Sequence, residues 1–215
     1  MTGNHFITFE GIDGCGKSTQ LGMLHDWLFG HGLDVVATRE PGDTPLGAEI
    51  RQLLLDGRYA PVAESELLLF LADRAQHVRE VVLPALARGA WVLCDRYSDS
   101  TLAYQLAARQ LESEGDSLQA LITFAECGVK PDLTLWFDLP VQVARQRMQL
   151  RVSKGEASTR LDDEVDSFHG HVAEAFASLS EGEPRRISRI DASPDLDAVH
   201  ASVCKTVAEH WPGLG

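Results

Sequence analysis

Residues 11–18 read Gly-Ile-Asp-Gly-Cys-Gly-Lys-Ser, the spacing of a loop whose backbone N–H groups cradle phosphates. The glycines let successive amides turn toward one centre, and a helix starting at the loop's end adds partial positive charge there. Lys17 can reach the terminal phosphates of a nucleotide, and the Ser18 hydroxyl can ligate Mg²⁺. The motif needs a strand before it and a helix after it. His5-Phe-Ile-Thr-Phe-Glu10 has strand composition, and Leu21, Leu24 and Leu28 recur at helical spacing. The context fits, so the loop implies binding of a nucleoside triphosphate.

A second group of residues points to an anionic partner beside that loop. The run Trp91-Val-Leu-Cys94 ends in Asp95-Arg96-Tyr97. A carboxylate at such a strand end is where phosphate-loop proteins keep a group near the metal, although buried strands also end in Asp for structural reasons. Arg96 then stands at the same rim, ready for a phosphate. Phe70, Arg74 and His77 fall at i, i+4 and i+7 of one helix, where a ring and a guanidinium could stack on a base and bond its edge. Taken alone, those residues fit better as a core ring and an arginine paired with Glu66 or Asp73. The next polar helix carries Ser100, Thr101, Tyr104 and Gln105 along one side, and inward polar groups need partners that a nucleobase would supply. Arg39 opens the loop Arg39-Glu-Pro-Gly-Asp-Thr44 and can face the same crevice. Arg145, Arg147, Arg151 and Arg160 bracket a polar stretch at 151–160. They read either as a solvated helix end or as a lid, spanning about 145–160, that brings positive charge to a transferring phosphoryl group. No Ser-His-Asp or Cys-His arrangement and no metal-ligand cluster stands out. Transfer to a phosphate acceptor needs no general base, because a phosphate monoester with a second pKa near ~6 is already largely ionised at neutral pH.

The elements that must position these residues follow an alternating pattern. Short apolar runs at 5–10, 34–38, 90–95, 132–138 and 186–191 read as buried strands. Helical patterns fill 17–30, 45–56, 62–88, 99–114, 116–128, 140–151, 161–180 and 194–210. The expectation is a single three-layer α/β/α domain over 1–215 with a five-stranded parallel sheet and ligands at the carboxyl ends of its strands.

Composition narrows the class. The chain has 215 residues, 44% hydrophobic and 24% charged, with a net charge of −13. That acidity argues against a nucleic-acid partner. Only four of the 19 basic residues are lysines, so arginines suited to bidentate phosphate contacts stand out against an acidic background. Cys15, Cys94, Cys127 and Cys204 form no close pair, which argues against a disulfide or zinc framework. Cys15, at a helix N-terminus beside Lys17, reads as the thiol with the lowered pKa. No run is apolar enough to span a bilayer, and a strand begins near the N-terminus, so the expected setting is cytoplasmic, away from membranes.

Seven segments in order make the chain resemble the thymidylate kinase family: Phe9–Thr19, Thr38–Gly42, Ala72–His77, Asp95–Tyr97, Ser100–Gln105, Pro131–Leu135 and Arg160–Asp162. The resemblance implies transfer from ATP to dTMP, giving ADP and dTDP, with Mg²⁺ and usually in a homodimer. It assigns Gly11, Ile12, Asp13, Gly14, Cys15, Gly16, Lys17, Ser18 and Thr19 to ATP, with Arg147 and Arg151 of the lid beside them. It places Asp13, Arg39, Phe70, Arg74, Arg96, Ser100, Tyr104 and Gln105 at dTMP. Asp13 would meet the 3′-hydroxyl, Phe70 would stack on thymine, Arg74 would bond its edge, and Tyr104 would crowd the position of a ribose 2′-hydroxyl. Lys17, Asp95, Arg96 and the lid's Arg160 would be catalytic, and Ser18 and Asp95 would stand nearest the metal. Asp43 departs from the family, which usually has a second glycine there. A kinase for another nucleoside monophosphate, or a nucleotide-dependent switch without transfer activity, are the alternatives.

Overall fold

The computed structural model describes residues 5–109, 111, 115–155, 159–162 and 164–214. Five parallel strands form one sheet: β1 (Phe6–Glu10), β2 (Val35–Arg39), β3 (Trp91–Asp95), β4 (Leu133–Asp138) and β5 (Ile187–Asp191), in the order β2-β3-β1-β4-β5. Each strand lies within about one residue of its expected place. β1 is buried along its whole length because helices cover both faces of the sheet, as parallel pairing demands.

On one face Ile7, Phe9, Leu93 and Leu135 pack against Leu21, Leu24 and Leu28 of α1 (Lys17–Gly30). The opposite face joins Phe6, Val92 and Cys94 to Val78, Val82 and Tyr97. α2 (Pro45–Leu55) follows β2 and is capped by Thr44, whose Oγ1 accepts the Gly47 N–H at 2.9 Å. The helix expected over 62–88 is continuous but changes pitch: α3 (Ala63–His77) widens into a π-helical turn at Val78–Val82 and resumes as α4 (Leu83–Ala87).

After β3 comes a short α5 (Ser98–Thr101), which widens into a π-helix over Leu102–Ala108. Residues 110 and 112–114 of the helix expected there lie outside the described residues. α6 (Gly115–Ala125) and α7 (Val141–Ser153) match their expected places closely. The helix expected from 161 instead starts later, as α8 (Asp166–Gly182). Residues ahead of it are held in a turn in which Asp162 Oδ2 accepts both the N–H and the hydroxyl of Thr159 at 2.9 Å. A side chain that caps its own local turn competes with helix hydrogen bonding. α9 (Leu196–His210) closes the domain.

Candidate active site

The loop after β1 holds three glycines with positive φ, Gly11, Gly14 and Gly16, and the first two allow its close approach to neighbouring backbone. A Cβ on Gly11 (φ +136°) would stand 2.6 Å from the Phe137 carbonyl oxygen, and one on Gly14 (φ +85°) 2.5 Å from that of Ala144. Only glycine lets the loop lie this close to β4 and α7. α1 begins at Lys17, so its N-terminus points into the loop. Ser18 Oγ donates to Asp95 Oδ2 at 2.5 Å, joining the loop's hydroxyl to the carboxylate at the end of β3.

A cavity of about 1110 Å³ opens at the carboxyl ends of β1, β2 and β3. Asp13 to Thr19 line it, as do Arg39, Phe70, Arg74, Asp95, Arg96, Ser100, Tyr104, Gln105, Arg147 and Arg151. Three expected site residues do not. Gly11 and Ile12 shape the loop from behind, Ile12 being buried in the core. Arg160 lies off the cavity: its Nε donates to the Leu54 carbonyl at 3.1 Å and its terminal nitrogen binds Glu66 Oε2. Residues 156–158 of the expected lid are outside the described residues.

Arg96 is the centre of the arrangement. Its backbone is left-handed (φ +74°), an unusual state for a residue with a side chain. From there the guanidinium donates to Asp13 Oδ1 at 2.8 Å, Ser100 Oγ at 2.9 Å and Tyr104 Oη at 3.0 Å. Burial opposes the charge on Asp13, yet Arg96 and Lys17 hold its carboxyl well below the usual carboxylate range. Glu10 braces the turn from beneath. Its carboxyl accepts the Tyr97 N–H at 2.7 Å and the Ser100 hydroxyl at 2.6 Å, and burial, with Asp99 adding to it, pushes its pKa up to about 8.

Arg74 is buried, with 2% of its surface exposed, and pairs with neither Glu66 nor Asp73. Its Nε donates to Glu40 Oε2 at 2.8 Å, another nitrogen donates to Thr101 Oγ1 at 2.8 Å, and the group lies 4.9 Å from the Tyr97 ring centre. It still borders the cavity beside Phe70. Tyr104 and Gln105 both face inward from the π-helical stretch. Gln105 Nε2 donates to Glu66 Oε1 at 3.1 Å, and Glu66 also takes Arg109 at 3.2 Å.

Sequence reasoning missed Glu10, Glu40 and Arg51. Arg51 Nη1 donates to the Pro41 carbonyl at 2.8 Å, and its side chain borders the cavity near Arg39. Glu10 and Glu40 fall inside the segments Phe9–Thr19 and Thr38–Gly42, but nothing local marks what these residues do, because partners distant in the chain create their roles. Cys15 corrects another expectation. It is 2% exposed, and burial raises its thiol pKa despite the lowering effect of Lys17.

A glycine loop feeding a helix at the carboxyl end of the central strand of a parallel sheet, with a half-buried guanidinium one strand away, defines a phosphate-loop nucleotide-binding domain. Residues 9–203 match the family model described as thymidylate kinase. The chain is 44% identical over 204 residues to the thymidylate kinase of Thiobacillus denitrificans, covering 95% of this chain and 96% of that one. It is 50% identical over 199 residues to that of Desulfovibrio desulfuricans, covering 90% and 91%. A crystal structure of thymidylate kinase from Ehrlichia chaffeensis superposes with a TM-score of 0.76 at 31% identity, covering 95% of this chain and 98% of that chain. The chain belongs to the thymidylate kinase family.

Proposed function

We propose that this chain transfers the γ-phosphoryl group of ATP to dTMP, giving dTDP and ADP. The observation that carries the reading is Arg96. It reaches Asp13 in the donor loop from the neighbouring strand, beside a second set of polar groups suited to a monophosphate and its base. The loop amides and Lys17 hold the donor phosphates. Arg96 holds the acceptor phosphate, so attack by its oxygen is a matter of positioning and charge neutralisation. Phe70 stacks on the base, Arg74 and Gln105 meet its edge, and Tyr104 limits the space beside the sugar.

Ser18 and Asp95 form a hydroxyl–carboxylate pair of the hard-oxygen kind that suits Mg²⁺. When bound, that ion would neutralise charge on the donor phosphates. Arg147 and Arg151 border the cavity and take the lid's role toward ATP. Arg160, tied to Glu66, supports the base pocket from behind instead of supplying charge to the transfer. Leu68 of α3 and Leu121 and Phe124 of α6 are 55%, 41% and 79% exposed on elements that pack together, an apolar face that fits a homodimer. Four free cysteines suit a reducing, cytoplasmic setting.

A coupled ADP-release assay across dTMP, dUMP, dGMP and dAMP tests the proposal. Preference for dTMP supports it. Negligible transfer to every monophosphate, or preference for a purine, refutes it.

A further inference from the structure

Asp43 stands where the family usually has a second glycine, and it borders neither the phosphate loop nor the cavity. Its Oδ2 lies 2.5 Å from Thr38 Oγ1. Thr38 Oγ1 lies 2.6 Å from His77 Nε2, and His77 Nδ1 lies 2.8 Å from Glu40 Oε1. Glu40 Oε2 accepts from Arg74 Nε at 2.8 Å. Five side chains therefore link an exposed turn to the guanidinium at the base pocket.

Counting hydrogens along this path fixes where they sit. A carboxylate offers only acceptors, and a threonine hydroxyl has one hydrogen. Two oxygens 2.5 Å apart need that hydrogen between them, so Thr38 donates to Asp43. Thr38 Oγ1 then has only lone pairs to offer, and His77 Nε2 must donate to it. At the other end Glu40 is ion-paired to Arg74 through one oxygen, and its second oxygen needs a donor from Nδ1. Both ring nitrogens of His77 therefore carry hydrogen.

We propose that Asp43 is a positioning residue for the acceptor site. It draws the Thr38 hydrogen, keeps His77 as a two-donor imidazolium, and so braces Glu40 against Arg74. This deepens the reading of Arg74 as a contact to the base and rests on it. With glycine at 43, Thr38 is released to donate to Nε2, and His77 needs hydrogen only on Nδ1. The groups facing the ring are Thr38 and Glu40 from β2 and its turn, Asp73 and Arg74 from α3, and Cys94 from β3.

The ring nitrogens of the full-length chain at pH 7, observed by ¹⁵N NMR, give the direct test. The His77 signals are assigned by their loss in His77→Gln or, should that variant not fold, by through-space contacts to Thr38. Two protonated nitrogens in the wild type and a single Nδ1–H tautomer in Asp43→Gly are expected. A neutral ring in the wild type, or an unchanged imidazolium in Asp43→Gly, overturns the proposal. In steady-state kinetics Asp43→Gly should raise the KM for dTMP about three- to tenfold while kcat and the KM for ATP hold, and Asp43→Glu should recover part of the loss. A KM for dTMP within about twofold of wild type overturns the positioning role, however far Tm moves. Arg74→Lys measured alongside separates the two readings. An unchanged KM for dTMP there refutes the base contact itself, whereas a raised one with a silent Asp43→Gly refutes only the relay.

Discussion

Lys17 holds its ammonium against two carbonyls of its own loop, Gly11 at 3.1 Å and Ile12 at 2.9 Å, which keeps the cation inside the loop that the proposed function assigns to the donor phosphates. Lys17→Ala removes charge neutralisation at the transferring group. Turnover should fall by two or more orders of magnitude, about 3 kcal/mol or more, with folding retained by circular dichroism. Near-normal turnover would sink the assignment of the loop. Cys15 leads to a different outcome from the one its sequence position implies. A buried thiol with a raised pKa reacts slowly, so iodoacetamide followed by mass spectrometry should label half-buried Cys127 before Cys15. Early labelling of Cys15 that ATP prevents would refute this. Position in a motif told where Cys15 would lie, while its reactivity depended on packing by Gly11 and the core, which no local pattern reveals. The same limit hid Glu40. Its carboxyl acts through His77 and Arg74, 37 and 34 residues away.

Two elements do more than carry residues. The π-helical stretch Leu102–Ala108 lets consecutive residues serve separate partners, Tyr104 toward Asp13 and Gln105 toward Glu66. π-Helical turns recur at functional sites for this kind of reason. Helical periodicity found the polar side of this element, but the change of pitch within it has no signature in the spacing. Glu66 on α3 then gathers Gln105, Arg109 and Arg160. Burial raises its pKa, yet these three partners win and leave its carboxyl below the usual range. Arg160→Ala should therefore raise the KM for dTMP through a loosened Gln105 and cost about 1–3 kcal/mol of stability, with kcat little changed. Arg147→Ala should chiefly lower kcat. Were Arg160→Ala to abolish turnover at unchanged KM, the lid assignment made from the sequence would stand and the one proposed here would fall.

At the scale of the whole molecule, strands and crossover helices were legible because a buried parallel sheet demands short apolar runs between longer amphipathic ones. Long-range polar pairings were not, since they cost no local pattern. One of them makes stability depend on pH. Burial and Glu40 push the Asp73 carboxyl up to about 6, with Oδ1 accepting the Gly42 N–H and Oδ2 unpartnered among the described residues. Because this folded pKa exceeds the unfolded value of ~4, the folded state binds the proton more tightly, and Asp73 costs stability progressively as pH rises from about 4 to about 6. Asp73→Asn keeps an acceptor for Gly42 and does not titrate. Its stability relative to wild type should therefore climb by up to about 3 kcal/mol over that interval and level off above it, as read from denaturant titrations. A difference independent of pH would rule out Asp73 as the source.

β1 and β3 pair Phe9 with Asp95, and the Arg96 N–H continues the ladder onto the Phe9 carbonyl at 3.0 Å. The loop assigned to the donor and the arginine assigned to the acceptor thus leave from adjacent strands of one sheet, about 4.8 Å apart by strand spacing alone. That interval is a gauge that no loop can reset. In the proposed reading, base recognition rests elsewhere, on α3 and the π-helical stretch. Changes of acceptor preference, whether arising by drift or by engineering, can accumulate there while the span across which the phosphoryl group must travel stays constant.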